Sequence, residues 1–233
     1  MRHVLIKDKK IPQAEVEAWK ITDTDFWHKY AGITPTYWQI EHDFTDYPTE
    51  IDSDGDVRPK NSFVRELTDE VHKSYGNDGT DFVMLLIHQD NWKSGRIWGT
   101  AWSNKYKNYH VQYCRWDKRN PANTFGTLYH ERHHALDALI ATEIGINVNS
   151  LFEIDSWDKS ITHGQGAEWD YIRYKENTKS IELIAPYLRQ ALAVRQKRHD
   201  EWLNGKRLTV IGLLQKLVYL YRQQLYKKDG VKK

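Results

Sequence analysis

The chain has 233 residues, with 34 Lys+Arg against 32 Asp+Glu and a formal net charge of +2. A balance this even argues against general nucleic-acid binding, which needs a large positive surplus. Charged residues at 28% and a mean hydropathy of −0.78 exclude a membrane-embedded chain, and the 39% of hydrophobic residues suffice for one core. Ten Trp, fourteen Tyr and six Phe make the aromatic content unusually high, so much of the core is expected to be aromatic.

No apolar run approaches the ~20 residues of a transmembrane helix. The start, Met1-Arg2-His3-Val4-Leu5-Ile6-Lys7, is too short in apolar residues for a secretory signal. Synthesis in a cytosol is therefore expected, with later release or incorporation into a particle left open. The single cysteine, Cys114, cannot form an internal disulfide and reads as a small buried hydrophobe.

In chain order, residues 1–35 carry mixed signals and read as an N-terminal extension, with a short helix at Gln13 to Trp19. Thr36 to Phe44 alternates and predicts a strand. Residues 46–59 read as a polar turn region. Asp52-Ser53-Asp54-Gly55-Asp56 lacks the spacing and distal Glu of a calcium loop and predicts a solvated turn. Phe63, Leu67, Val71 and Tyr75 stand four apart and predict an amphipathic helix from Ser62. Asp81 to His88 is a continuous apolar run of strand length, which suits a central strand. Two further strands are expected at Arg96 to Ser103 and Tyr109 to Trp116. Asn120-Pro121 then opens a long helix over about 122–143, and Gly145 stops it.

Residues 147–177 are loop-like. Thr178 to Leu203 predicts a helix bent at Pro186, and Leu208 to Leu225 a final amphipathic helix. The order of elements gives an α+β class. The expected division is the extension 1–35, a catalytic domain 36–177 and a C-terminal helical region 178–233.

The chemistry is concentrated in the long helix. His130-Glu131-Arg132-His133-His134 fits His-Glu-x-x-His. Positions four apart on a helix differ by ~40° around the axis and ~6 Å along it, so His130 and His134 can close on one Zn²⁺. Glu131 lies ~100° round, within reach of a metal-activated water, and is the candidate general base. Leu128, Ala135 and Leu139 form the opposite, apolar side. Arg132 spoils that side, and its stem is expected to snorkel outward. His133 points away from His130 and reads as a surface residue or as one that supports a ligand from behind. Asp137 shares the histidine face, where it either orients a ligand or stays solvated.

These residues, preceded by an alternating strand and a Pro break, resemble the zincin metallopeptidase superfamily over about residues 36–175. They are similar in particular to small phage and bacterial zincin-like domains. The resemblance implies a mixed sheet with a backing helix, an active-site helix, and a cleft bounded by an edge strand that pairs with an extended peptide. Ile97 to Ser103 or Tyr109 to Trp116 would be that strand. The chain departs from the metzincin subgroup, whose Gly and third-ligand positions hold Asp137 and Ile140 here. The third ligand must come from beyond the helix. His163, in a glycine-flanked loop, is the first candidate; Glu153, spaced as in the gluzincin subgroup, and Glu168 are the others. Tyr171 and Arg173 are candidate donors to an oxyanion, with a core aromatic and a surface Arg as the plainer reading.

The expected activity is zinc-dependent hydrolysis of a peptide bond, with a peptidoglycan-directed hydrolase as a variant. The alternative is a structural or assembly protein that keeps a zincin fold with a structural or vestigial zinc site. Residues 197–233 carry ten Lys/Arg and three Asp/Glu, so the remainder is net acidic. The apolar stripe of 206–226 would dock on the catalytic domain, join a second copy or larger assembly, or rest on an anionic surface.

Overall fold

Val4-Leu5-Ile6 is the apolar centre of an interior strand. In the computed structural model, which describes residues 1–53, 55–75, 82–94, 99–104, 109–117, 121–148, 179–205, 213–214, 217–218 and 220–221, it lies in β1 (Arg2–Asp8). There follow α1 (Gln13–Ala31), β2 (Thr36–His42), β3 (Thr49–Ile51), β4 (Val57–Pro59), α2 (Asn61–Tyr75) and β5 (Phe82–His88). Then come β6 (Gly99–Asn104), β7 (Tyr109–Trp116), α3 (Pro121–Ile144) and α4 (Lys179–Gly205).

Five strands form one sheet in the order β2-β1-β5-β7-β6, and β3 and β4 pair separately as an antiparallel hairpin. The first four strands of that order are mutually parallel; β6 alone runs antiparallel, on β7, at the edge. Parallel neighbours require crossovers, and α1 supplies the one between β1 and β2. The result is a mixed sheet with helices on both faces, compatible with the expected α+β class.

The two faces follow the period of two along each strand. Val4, Ile6, Val83, Leu85, Val111 and Tyr113 pack with Val64 and Val71 of α2. Leu5, Met84, Leu86 and Cys114 pack on the other side with Val16 and Trp19 of α1 and Leu128 of α3. Each fully buried Val, Leu or Ile here contributes about 1.5–3 kcal/mol. Behind this layer, Phe26 and Trp27 of α1, Leu136, Leu139 and Ile140 of α3, and Ile181, Ile184 and Leu188 of α4 make a helical core. Polar ties hold α4 there: Arg189 Nη1 donates to the Ala31 carbonyl at 2.7 Å, and Arg195 Nη1 donates to Glu143 Oε1 at 2.9 Å.

The strand ends are pinned by side chains. Asp8 Oδ2 accepts from Asn91 Nδ2 at 2.7 Å and from the His88 amide at 3.2 Å, which clamps β1 to the loop after β5. Trp116 Nε1 donates to Glu15 Oε2 at 2.9 Å and joins the end of β7 to the first turn of α1.

Several expectations are corrected. Residues 1–35 are no extension: β1 lies between β2 and β5, and α1 runs for 19 residues rather than stopping at Trp19. A division at residue 36 would cut through the sheet. The turn region 46–59 contains the β3–β4 hairpin, although Asp52 does form the expected turn, its Oδ1 accepting from the Asp56 amide. Tyr109 to Trp116 is interior, which leaves β6 as the edge strand beside α3. Cys114 is buried, as expected. The aromatic excess enters the core through Trp19, Trp27, Trp38, Tyr113 and Trp116. Among the described residues no helix is long and apolar enough to cross a membrane.

Candidate functional site

α3 carries the candidate chemistry. Pro121 occupies its first turn, where a missing backbone N–H costs nothing, and Gly145 ends it in the left-handed region at φ 70°. The Gly145 amide closes the last turn on the Ala141 carbonyl at 3.1 Å.

Each face of α3 has its own neighbour. Leu128 points into the sheet core, and Leu136, Leu139 and Ile140 face the helical core with α4. Thr127 and Glu131, one turn apart, lie over β6 at Gly99. A Cβ on Gly99 would stand 2.7 Å from Thr127 Cγ2 and 3.0 Å from Glu131 Cγ. Glycine is therefore required there by the close approach of helix to strand. Gln112 of β7 strengthens the contact, its Nε2 donating to the Leu128 carbonyl at 3.3 Å.

Glu131 is only 4% exposed. Among the described residues no hydrogen bond or ion pair compensates its carboxylate, and burial pushes its pKa up to about 8. His134, half-buried on the next turn, has its pKa lowered by the same cause and stays neutral at pH 7. A neutral imidazole is the form that ligates a metal. Positions 130 and 134 stand one turn apart on α3; the side chains of His130 and His133 lie outside the described residues, as do His163, Glu153, Glu168, Tyr171 and Arg173. Among the described residues no group of three His, Cys, Asp or Glu converges to hold a metal. The structure thus places Glu131 and His134 together on the helix that packs against the edge strand. Asp137 is half-buried farther along the same helix.

Arg132 does not snorkel. It is fully buried, its Nη1 donating to Asp23 Oδ1 of α1 at 2.5 Å. Its guanidinium carbon lies 5.6 Å from the Trp19 ring centre and 5.4 Å from that of Trp27. Asp23 also accepts from Trp27 Nε1 at 3.1 Å and from the Tyr37 hydroxyl. Burial works most strongly against the Arg132 charge, and Asp23 together with Tyr37 and Tyr129 more than offsets it. The pair fixes the rotation of α3 about its axis, and with it the side on which Glu131 and His134 stand.

Sequence reasoning missed Gly99 and Asp23. Gly99 had a signal, an isolated glycine inside a strand pattern. Asp23 had none, because a buried acid is legible only beside its partner. No family model, curated protein or solved structure matches the chain.

Proposed function

We propose that this protein is a zinc-dependent hydrolase of peptide amide bonds, built on a zincin-like domain. The observation that carries the reading is Glu131: a carboxylate buried without a counter-charge among the described residues, one turn from a neutral His134. A carboxyl buried in this way holds its proton at neutral pH unless a cation beside it restores the ionised form. The antiparallel edge strand β6 beside α3 is further support, since the zincin resemblance implies such a strand beside the active-site helix.

The donor set fits Zn²⁺. His130 and His134 would hold it, together with a ligand from beyond α3, His163 first and Glu153 or Glu168 as competitors. Bound Zn²⁺ supplies Lewis-acid polarisation of the scissile carbonyl and a more acidic water. Ionised once the cation stands beside it, Glu131 would take the proton from water and return it to the leaving amine. The outer edge of β6, unpaired among the described residues, offers backbone groups to an extended substrate.

The test is metal analysis of the purified full chain together with hydrolysis of a generic fluorogenic peptide library. Glu131→Gln should keep stoichiometric zinc and lose at least about 100-fold in turnover. Absence of bound zinc, or unchanged hydrolysis by Glu131→Gln, would sink the reading. Bound zinc with no hydrolysis by the unaltered chain would favour a structural or assembly role.

A further inference from the structure

Leu213, Leu214, Leu217, Val218, Leu220 and Tyr221 are helical, and all are exposed, from 42% at Leu220 to 62% at Tyr221. At 100° per residue these six positions fall within an arc of roughly 160°. The expected docking of this stripe on the catalytic domain is therefore not seen at these residues. An apolar arc this wide calls for an occupant.

The charges nearby restrict what that occupant is. Residues 202–228 contain six Lys/Arg and no carboxylate. Two copies pairing stripe to stripe would bring like charges together with no acid to answer them, whereas self-pairing helices ordinarily carry both signs. A stretch of chain that joins exposed apolar residues to cations with no carboxylate among them is complementary in composition to a surface that is apolar within and anionic at its rim.

We propose that the region 206–226 lies on an anionic lipid bilayer, the apolar stripe entering the headgroup–acyl boundary and the Lys/Arg residues meeting the lipid phosphates. This does not depend on the proposed hydrolase activity. It would confine the catalytic domain to a membrane surface and to substrates presented there.

The experiment is flotation of the full chain with two kinds of vesicle: phosphatidylcholine alone, and phosphatidylcholine with about a quarter phosphatidylglycerol. The expected result is binding to the anionic vesicles, weakened at least about tenfold on the neutral ones and by high salt. The double variant Leu214→Glu/Leu217→Glu changes only exposed positions, so the fold should survive, and it should release the chain from the anionic vesicles. No binding to anionic vesicles, equal binding to neutral ones, or undiminished binding by a folded double variant would overturn the proposal. A stable dimer in solution that the double variant dissolves would overturn it in favour of a second copy.

Discussion

Arg132 of α3 and Asp23 of α1 form an ion pair at 2.5 Å with both side chains fully excluded from solvent. Each bears the desolvation cost of a charge and is answered by the other; the Trp19 and Trp27 rings also answer Arg132, and the Trp27 and Tyr37 donors also answer Asp23. The pair joins the helix that carries Glu131 to the helix that crosses between β1 and β2.

Removing one partner should therefore be severe. Arg132→Met leaves the Asp23 carboxylate without its cation and should cost about 3–5 kcal/mol in urea unfolding. Arg132→Met combined with Asp23→Leu removes both charges and should recover part of that loss. The recovery should be incomplete, because Tyr37 and Trp27 lose their acceptor.

Glu131 makes the stability of the metal-free protein depend on pH. Its folded pKa, about 8, exceeds the ordinary 4.5 of an exposed glutamate. The stabilising contribution of its proton is complete below the unfolded value and is lost as pH rises through the folded one. Between pH 4.5 and 8 the chelated protein should lose stability, by up to roughly 5 kcal/mol. Chemical denaturation across this range should show the slope in the unaltered chain, and Glu131→Gln should flatten it.

Gly99 is a contact point, and filling it should disturb α3. Gly99→Ala drives a methyl against Thr127 Cγ2 and should cost about 1–3 kcal/mol. Adding Thr127→Ser removes the closer of the two side-chain obstacles and should restore part of the stability. The 3.0 Å approach to Glu131 Cγ remains, so full recovery is not expected. Thermal melts of the unaltered chain and both variants check this.

Cys114 should be chemically silent. It is 1% exposed, and burial raises its thiol well above the ordinary range. Native protein should resist a thiol-specific reagent, whereas the urea-unfolded chain should react with one equivalent.

Elements with a strong local pattern are legible in the residues themselves. Phe63, Leu67 and Val71 mark α2, the run to His88 marks β5, and Pro121 and Gly145 bracket α3. The start of the chain is not legible in this way. β1 offers only Val4-Leu5-Ile6 between polar neighbours, and Lys7 is buried through its ammonium group, which donates to the Ile11 carbonyl at 2.9 Å and pairs with Glu41. α1 repeats Val16, Trp19, Phe26 and Trp27 at helical spacing, but the inward position between them is Asp23, so the stripe reads as broken.

The sequence by itself determined the local events: where helices begin and end, which strands are apolar throughout, and that His130, Glu131 and His134 share one stretch of helix. These depend on period, capping and spacing, which act over a few residues. Only the tertiary structure decided that residues 1–35 build the sheet, that β6 is its edge, that Gly99 admits Glu131, and that a buried Asp23 awaits Arg132 across 109 positions of chain. A buried charge is tolerable only beside its partner, and that partnership exists once distant segments have met.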